Sequence, residues 1–182
     1  MTLRRLRRHQ QPQFIQPTPH IGQALALLGA RPRLDSYGRL CGAEDVAATA
    51  ARYAAAGNLA SHEVLPYIDD MPAAYAWADL VIARAGASSI AEIAACGVAA
   101  ILVPYPYAVD DHQTANARYL AGAEAAVLLP ETEMSVERLA AEIGRLLKDT
   151  SARLAMAERA RACGRPHATA EVAAQCLEFV DA

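Results

Sequence analysis

The run Asp79-Leu-Val-Ile-Ala-Arg84-Ala-Gly86-Ala-Ser88-Ser89-Ile-Ala-Glu92 constrains this chain more than any other stretch. It opens on a short, almost unbroken apolar segment, as expected of a strand covered on both faces of a parallel sheet. Gly86 permits a tight turn and leaves room for a ligand beside the backbone. Ser88 and Ser89 are small N-capping residues at the head of an alanine-rich helix. Strand, glycine turn and helix in this order aim free backbone N–H groups and the positive end of a helix dipole at the C-terminal edge of the sheet, where a phosphate would sit. Glu92 lies one turn into the helix, within reach of whatever that phosphate carries. The same residues also have a purely structural reading, because Ser89-x-x-Glu92 has the spacing of a capping box.

The pattern around this run alternates. Helix over about 44–56, strand 63–67, helix from Asp69-Asp70 to Trp77, strand 79–84, helix 88–96 closed by Gly97, and strand 99–103 follow one another. A loop over 105–110 then leads to a helix at 111–121, a strand at 125–129 and helices over 135–148, 150–162 and 167–180. Strands alternating with helices indicate βαβ units, and so a Rossmann-like α/β domain with a parallel sheet flanked by helices. Ligands in such sheets sit beyond the C-terminal strand ends, where the loops 66–71, 84–89 and 104–113 converge. The N-terminal stretch does not share the pattern. Residues 1–20 read as disordered or poorly packed, Ile21–Leu28 as a short helix, and 31–42 as a poor strand. The chain therefore divides into a poorly matching segment, 1–40, and a folded domain, 41–182.

Charge and cysteine usage narrow the function. Of 17 basic and 20 acidic side chains, residues 1–40 hold seven arginines and one acid, leaving ten against nineteen in the remainder. The arginines at 4, 5, 7 and 8 read as a solvated tail, and no nucleic-acid partner is expected. Four scattered cysteines without CxxC spacing read as thiols of a reducing, cytoplasmic setting, with no disulfide or metal site. No apolar run is long enough to span a bilayer.

Tyr67-Ile-Asp-Asp-Met71, Arg84-Ala-Gly-Ala-Ser-Ser-Ile-Ala-Glu92, the strand ending at Pro104, and Asp111-His-Gln-x-x-Asn116-Ala together resemble the C-terminal half of the MurG family. These are the bacterial transferases that move GlcNAc from UDP-GlcNAc to the lipid-linked muramyl-pentapeptide precursor of peptidoglycan. The resemblance covers about residues 43–182. It implies one half of a GT-B fold, in which this half binds the nucleotide sugar and an N-terminal domain supplies acceptor site and catalytic base. It implies that the backbone of Ile68 meets uracil with Met71 nearby. Gly86, Ala87, Ser88 and Ser89 would cradle the diphosphate, with Arg84 adding charge there or serving as a structural ion-pair partner. Glu92 would take the ribose diol in two charge-assisted hydrogen bonds. His112 and Gln113 would hold the GlcNAc hydroxyls, with Asn116 supporting from behind. No metal or other cofactor is implied. Without the resemblance, Asp110-x-x-Gln113 reads as a helix cap.

Two departures accompany the resemblance. Nothing here matches the family's N-terminal domain, and residues 1–30 lack its apolar first strand and glycine-rich turn. The first strand is therefore expected to be missing or degraded, as in a truncated or frame-disrupted gene copy, and the chain is expected to be inactive alone. The alternatives are a donor-binding subunit that joins a partner chain carrying the acceptor half, peripheral at the inner face of the plasma membrane, and a non-catalytic remnant. A dinucleotide-dependent oxidoreductase is disfavoured by the lack of a GxGxxG after a first strand.

Overall fold

The computed structural model describes residues 13–15, 36–40, 46–55, 61–65 and 68–180. Among these, six strands form one parallel sheet: β1 Gln13–Ile15, β2 Ser36–Leu40, β3 Ser61–Leu65, β4 Leu80–Ala83, β5 Ala99–Leu102 and β6 Val127–Leu128. The helices are α1 Val46–Ala55, α2 Met71–Trp77, α3 Ala87–Cys96, α4 His112–Ala121, α5 Val136–Lys148, α6 Thr150–Cys163 and α7 Ala168–Val180. Strand order is β3-β2-β1-β4-β5-β6, every pairing parallel. This is the doubly wound order, and its direction of winding reverses between β1 and β4.

β4 and β5 are buried along their whole length. Their side chains alternate between two cores. Leu80, Ile82, Ala99, Ile101 and Val103 face Leu139, Ile143, Leu146 of α5 and Met156 of α6. Val81, Ala83, Ala100 and Leu102 face Tyr75 of α2, Ile90 and Ile93 of α3, and Ala117 and Leu120 of α4. Each fully buried Leu, Ile or Val contributes roughly 1.5–3 kcal/mol, so this double cover fixes the register of the central strands.

The helix ends follow from local chemistry. Asp70 caps α2 through Ala73 N–H at 2.9 Å, and Pro72 occupies its first turn. Ser135 and Asp149 cap α5 and α6 through Arg138 N–H and Ala152 N–H. Gly97 ends α3 at φ +62°, a left-handed position that favours glycine.

The first strand, expected to be missing or degraded, is present in shortened form: Gln13–Ile15 is a three-residue strand in the middle of the sheet. It pairs with β2 (Phe14 opposite Gly38) and with β4 (Ile15 opposite Ile82). Three residues bracketed by Pro12 and Pro17 are too few to show a period, and two neighbouring strands, rather than propensity, make them extended. The weak strand expected within 31–42 is β2, held between β1 and β3. Its sequence, Ser-Tyr-Gly-Arg-Leu, is poor in strand formers, so pairing on both edges again decides. The expected helix over Ile21–Leu28 and the disorder expected over 1–20, apart from β1, fall outside the described residues.

Candidate functional site

The reversal of strand order lies between β1 and β4, and the segment leaving β4 is Arg84-Ala85-Gly86. Helix α3 begins immediately after it. The N-cap is Gly86, at φ −64° and ψ 150°, and no side chain caps the helix. The first intrahelical hydrogen bond runs from Ile90 N–H to Gly86 O at 3.0 Å. The N–H groups of Ala87, Ser88 and Ser89 therefore precede the ladder and point out of the helix end, with its dipole behind them.

This geometry corrects the capping readings of the same residues. Ser88 and Ser89 lie inside α3 rather than at its cap, so Ser89 and Glu92 do not form a capping box. The serines are left as two hydroxyls on the first turn. Gly86 is also not a turn glycine in the steric sense, because φ −64° is open to any residue. A Cβ placed on it would meet only Ser89 Oγ, at 3.9 Å. The protein itself does not require glycine there, and the space in front of the turn stays open.

Glu92 is exposed on α3, one turn on from the serines. Tyr75 of α2, 2% exposed, has its hydroxyl beside the Glu92 carboxylate. Burial, reinforced by that carboxylate, pushes the Tyr75 pKa well above the ordinary tyrosine range. Ile68 and Met71, at the head of α2, pack partly buried against the same core that holds α3.

The loop after β5 completes the edge. Asn116 of α4 donates to Ala85 O at 3.1 Å and so ties α4 to the turn before α3. Gln113 accepts from Tyr105 N–H through Oε1 at 2.9 Å. His112 is exposed at the start of α4. The N-cap of α4 is Asp111, which has no side-chain cap bond, and Asp110 and Asp111 both carry positive φ, 52° and 51°. The capping arrangement Asp110-x-x-Gln113 is thus not formed, because the Gln113 side chain is turned to the loop instead.

Arg84 of the predicted set is committed elsewhere. Its Nη1 donates to Val103 O at 3.3 Å, Pro104 O at 3.1 Å and the Glu131 carboxylate at 2.5 Å. The guanidinium also lies 5.5 Å from the centre of the Tyr105 ring. Of the two readings of Arg84, the structural ion pair describes these contacts. Glu131 was not found from sequence; it lies 47 positions away, in the helical turn Glu131–Glu133 after β6, and no local spacing signals it.

Three segments thus meet at one sheet edge: the head of α2, the turn into α3, and the loop from β5 into α4. Among the described residues no three His, Cys, Asp or Glu side chains are grouped to hold a metal ion, and no helix is long and apolar enough to cross a membrane. A shallow groove lined by Glu137, Gly144 and Arg145 runs along α5 and shares no residue with these segments.

Residues 38–174 match the family model described as the glycosyltransferase family 28 C-terminal domain. A UDP-N-acetylglucosamine--N-acetylmuramyl-(pentapeptide) pyrophosphoryl-undecaprenol N-acetylglucosamine transferase of Nitrosococcus oceani is 51% identical over 158 residues, 87% of this chain and 43% of that protein. The transferase of the same name from Burkholderia lata is 50% identical over 167 residues, 89% of this chain and 44% of that protein. The chain thus spans less than half the length of these curated relatives. The crystal structure of Acinetobacter baumannii MurG aligns with a TM-score of 0.76 at 36% identity, covering 88% of this chain and 48% of that one. The C-terminal CMP-Kdo binding domain of WaaA from the same species shares the fold at a TM-score of 0.66 and 11% identity, over 86% of this chain and 90% of that one.

Proposed function

Because the chain belongs to the glycosyltransferase family 28 C-terminal domain family, we propose that it is the donor-binding half of an inverting N-acetylglucosaminyltransferase that uses UDP-GlcNAc. The observation that carries this reading is the uncapped start of α3 at the reversal of strand order, with Glu92 one turn behind it. The names of relatives at about half identity support the sugar and the nucleotide.

In this reading the diphosphate lies on the N–H groups of Ala87, Ser88 and Ser89, with both serine hydroxyls as further donors and Gly86 leaving the approach open. Hydrogen bonds to a charged group are worth about 1.5–3 kcal/mol each, and the helix end adds up to about 2 kcal/mol. Glu92 accepts from the two ribose hydroxyls, held by Tyr75. The backbone at Ile68 meets the uracil edge, with Met71 against the base. His112 and Gln113 take the GlcNAc hydroxyls. An acceptor hydroxyl attacks the anomeric carbon from the face opposite UDP, the C–O bond to UDP breaks, and the acceptor proton passes to a base in the acceptor half. Donors already aimed at the diphosphate stabilise the charge that grows on UDP, which is how such a site works without a metal.

The acceptor is the lipid-linked peptidoglycan precursor, met through an acceptor half that these residues do not supply, at the cytoplasmic face of the membrane. Alone, the chain binds donor and does not transfer sugar. Calorimetric titration with UDP-GlcNAc tests the reading. Saturable one-to-one binding, unchanged by EDTA, is expected; a folded chain that binds neither UDP-GlcNAc nor UDP would overturn it, and GlcNAc transfer by the chain alone would overturn the division into halves.

A further inference from the structure

Gln113 carries an amide whose two ends differ chemically: the oxygen accepts and the nitrogen donates. A backbone N–H is an obligate donor, so the 2.9 Å contact with Tyr105 N–H fixes Oε1 on the loop side. The NH2 group is then the end left to face a ligand. Which end faces the ligand depends on Tyr105 staying where it is, and Tyr105 is 44% exposed in a loop that also holds the 81%-exposed Tyr107. Packing does not secure such a residue. Within the loop Ala108 N–H donates to the Tyr105 carbonyl at 3.2 Å, and further polar contacts come from the far side. Arg84 bonds the carbonyls of Val103 and Pro104, the two residues before Tyr105, and its guanidinium lies over the Tyr105 ring. Glu131 bonds the same guanidinium, with the two side chains only 22% and 28% exposed.

We propose that Arg84 and Glu131 are positioning residues that lock the loop after β5 and thereby hold the Gln113 amide with its donor end toward the sugar. The proposal rests on Gln113 as a sugar contact and goes beyond it. Neither residue touches the ligand. Glu131 holds the arginine by charge, the arginine holds the two carbonyls and the ring, and Tyr105 N–H holds the amide. A lysine at 84 would lack the flat guanidinium that lies over the Tyr105 ring while its Nη1 bonds the carbonyls and the carboxylate.

The test uses Glu131→Gln, which keeps the shape and removes the charge, and Arg84→Lys, which keeps the charge and removes the flat group over the Tyr105 ring. Two readouts are taken on the full chain. The first needs no ligand: hydrogen exchange of the Tyr105 amide by NMR is expected to speed up about tenfold in each variant, against unchanged exchange in the β4 and β5 amides. The second is the ratio of UDP-GlcNAc to UDP affinity, which is expected to fall roughly fivefold to tenfold while UDP affinity stays within about twofold. Unchanged Tyr105 exchange would overturn the proposal. So would equal weakening of both ligands, which is what general destabilisation produces. If the unsubstituted chain binds neither ligand, the donor-site reading fails, and Tyr105 exchange still decides whether Arg84 and Glu131 lock the loop.

Discussion

Gly97→Ala is expected to be the most damaging single-methyl change at either end of α3. Two costs combine. At φ +62° a residue with a Cβ pays roughly 1–2 kcal/mol. The added Cβ would also stand 2.9 Å from Arg161 Cβ and 2.7 Å from Arg161 Nε, closer than carbon atoms in folded proteins tolerate. The stem of Arg161 cannot swing away cheaply, because its Nη2 donates to Cys96 O at the C-terminal end of α3. Moving it adds about 1–3 kcal/mol of overpacking. Against this, alanine restricts the unfolded chain and returns about 0.4–1 kcal/mol. The net loss is about 2–4 kcal/mol, or roughly 5–15 °C in Tm for a chain of this size. Urea unfolding of Gly97→Ala, Arg161→Ala and the double variant measures it. Arg161→Ala removes the Nε contact but keeps the Cβ at 2.9 Å, so it relieves only part of the clash, and the double variant should lose about 1 kcal/mol less than the sum of the single changes. A Gly97→Ala variant within about 0.5 kcal/mol of the parent, or strict additivity, would refute the reasoning.

Gly86→Ala is the counterpart at the other end of the helix: ordinary φ and open space predict stability within about 0.5 kcal/mol of the parent, with UDP affinity reduced about tenfold or more because the methyl occupies the phosphate approach; an unfolded variant, or full affinity, contradicts this. Asn116→Ala removes the bond to Ala85 O and should cost about 1 kcal/mol in urea melts while also weakening UDP binding, whereas a change in stability alone would disconnect Asn116 from the site. Tyr75 carries a pH signature. Its pKa is raised in the folded state, so the unfolded chain releases this proton first, and the stability present below pH about 10 is lost as pH climbs toward the folded value. Alkaline melts of Tyr75→Phe should therefore fall less steeply above pH 10 than those of the parent, and parallel slopes would count against it.

How much of this was legible in the chain depends on range. β4 and β5 declare themselves as apolar runs because both of their faces are covered, and α5 does so through Leu139, Ile143 and Leu146 on one face. β1 and β2 do not, since Gln-Phe-Ile and Ser-Tyr-Gly-Arg-Leu become strands through neighbours distant in sequence. The turn into α3 was readable as a strand-to-helix junction with the helix start off by one residue, but its cap was misplaced by two or three: serines usually cap helices, and here Gly86 does. That shift matters chemically, since it frees two hydroxyls from capping, Ser88 exposed and Ser89 half-buried. The contact between Gln113 and Tyr105 spans eight residues and breaks the expected cap, while Arg84 and Glu131 meet only because β4, β5 and β6 are adjacent in the sheet. Contacts of that kind follow from topology and have no local spacing.

The central claim is that a uridine nucleotide docks with its diphosphate on the first turn of α3 and its ribose on Glu92. A two-by-two titration tests it most directly: UDP and 2′,3′-dideoxy-UDP against the parent chain and Glu92→Ala. Loss of the diol should weaken binding to the parent about tenfold or more, consistent with charge-assisted bonds, and should make no difference to Glu92→Ala. Equal loss of affinity on removing the diol in both proteins would mean that Glu92 does not hold the ribose, and the placement of the nucleotide on α3 would fall with it.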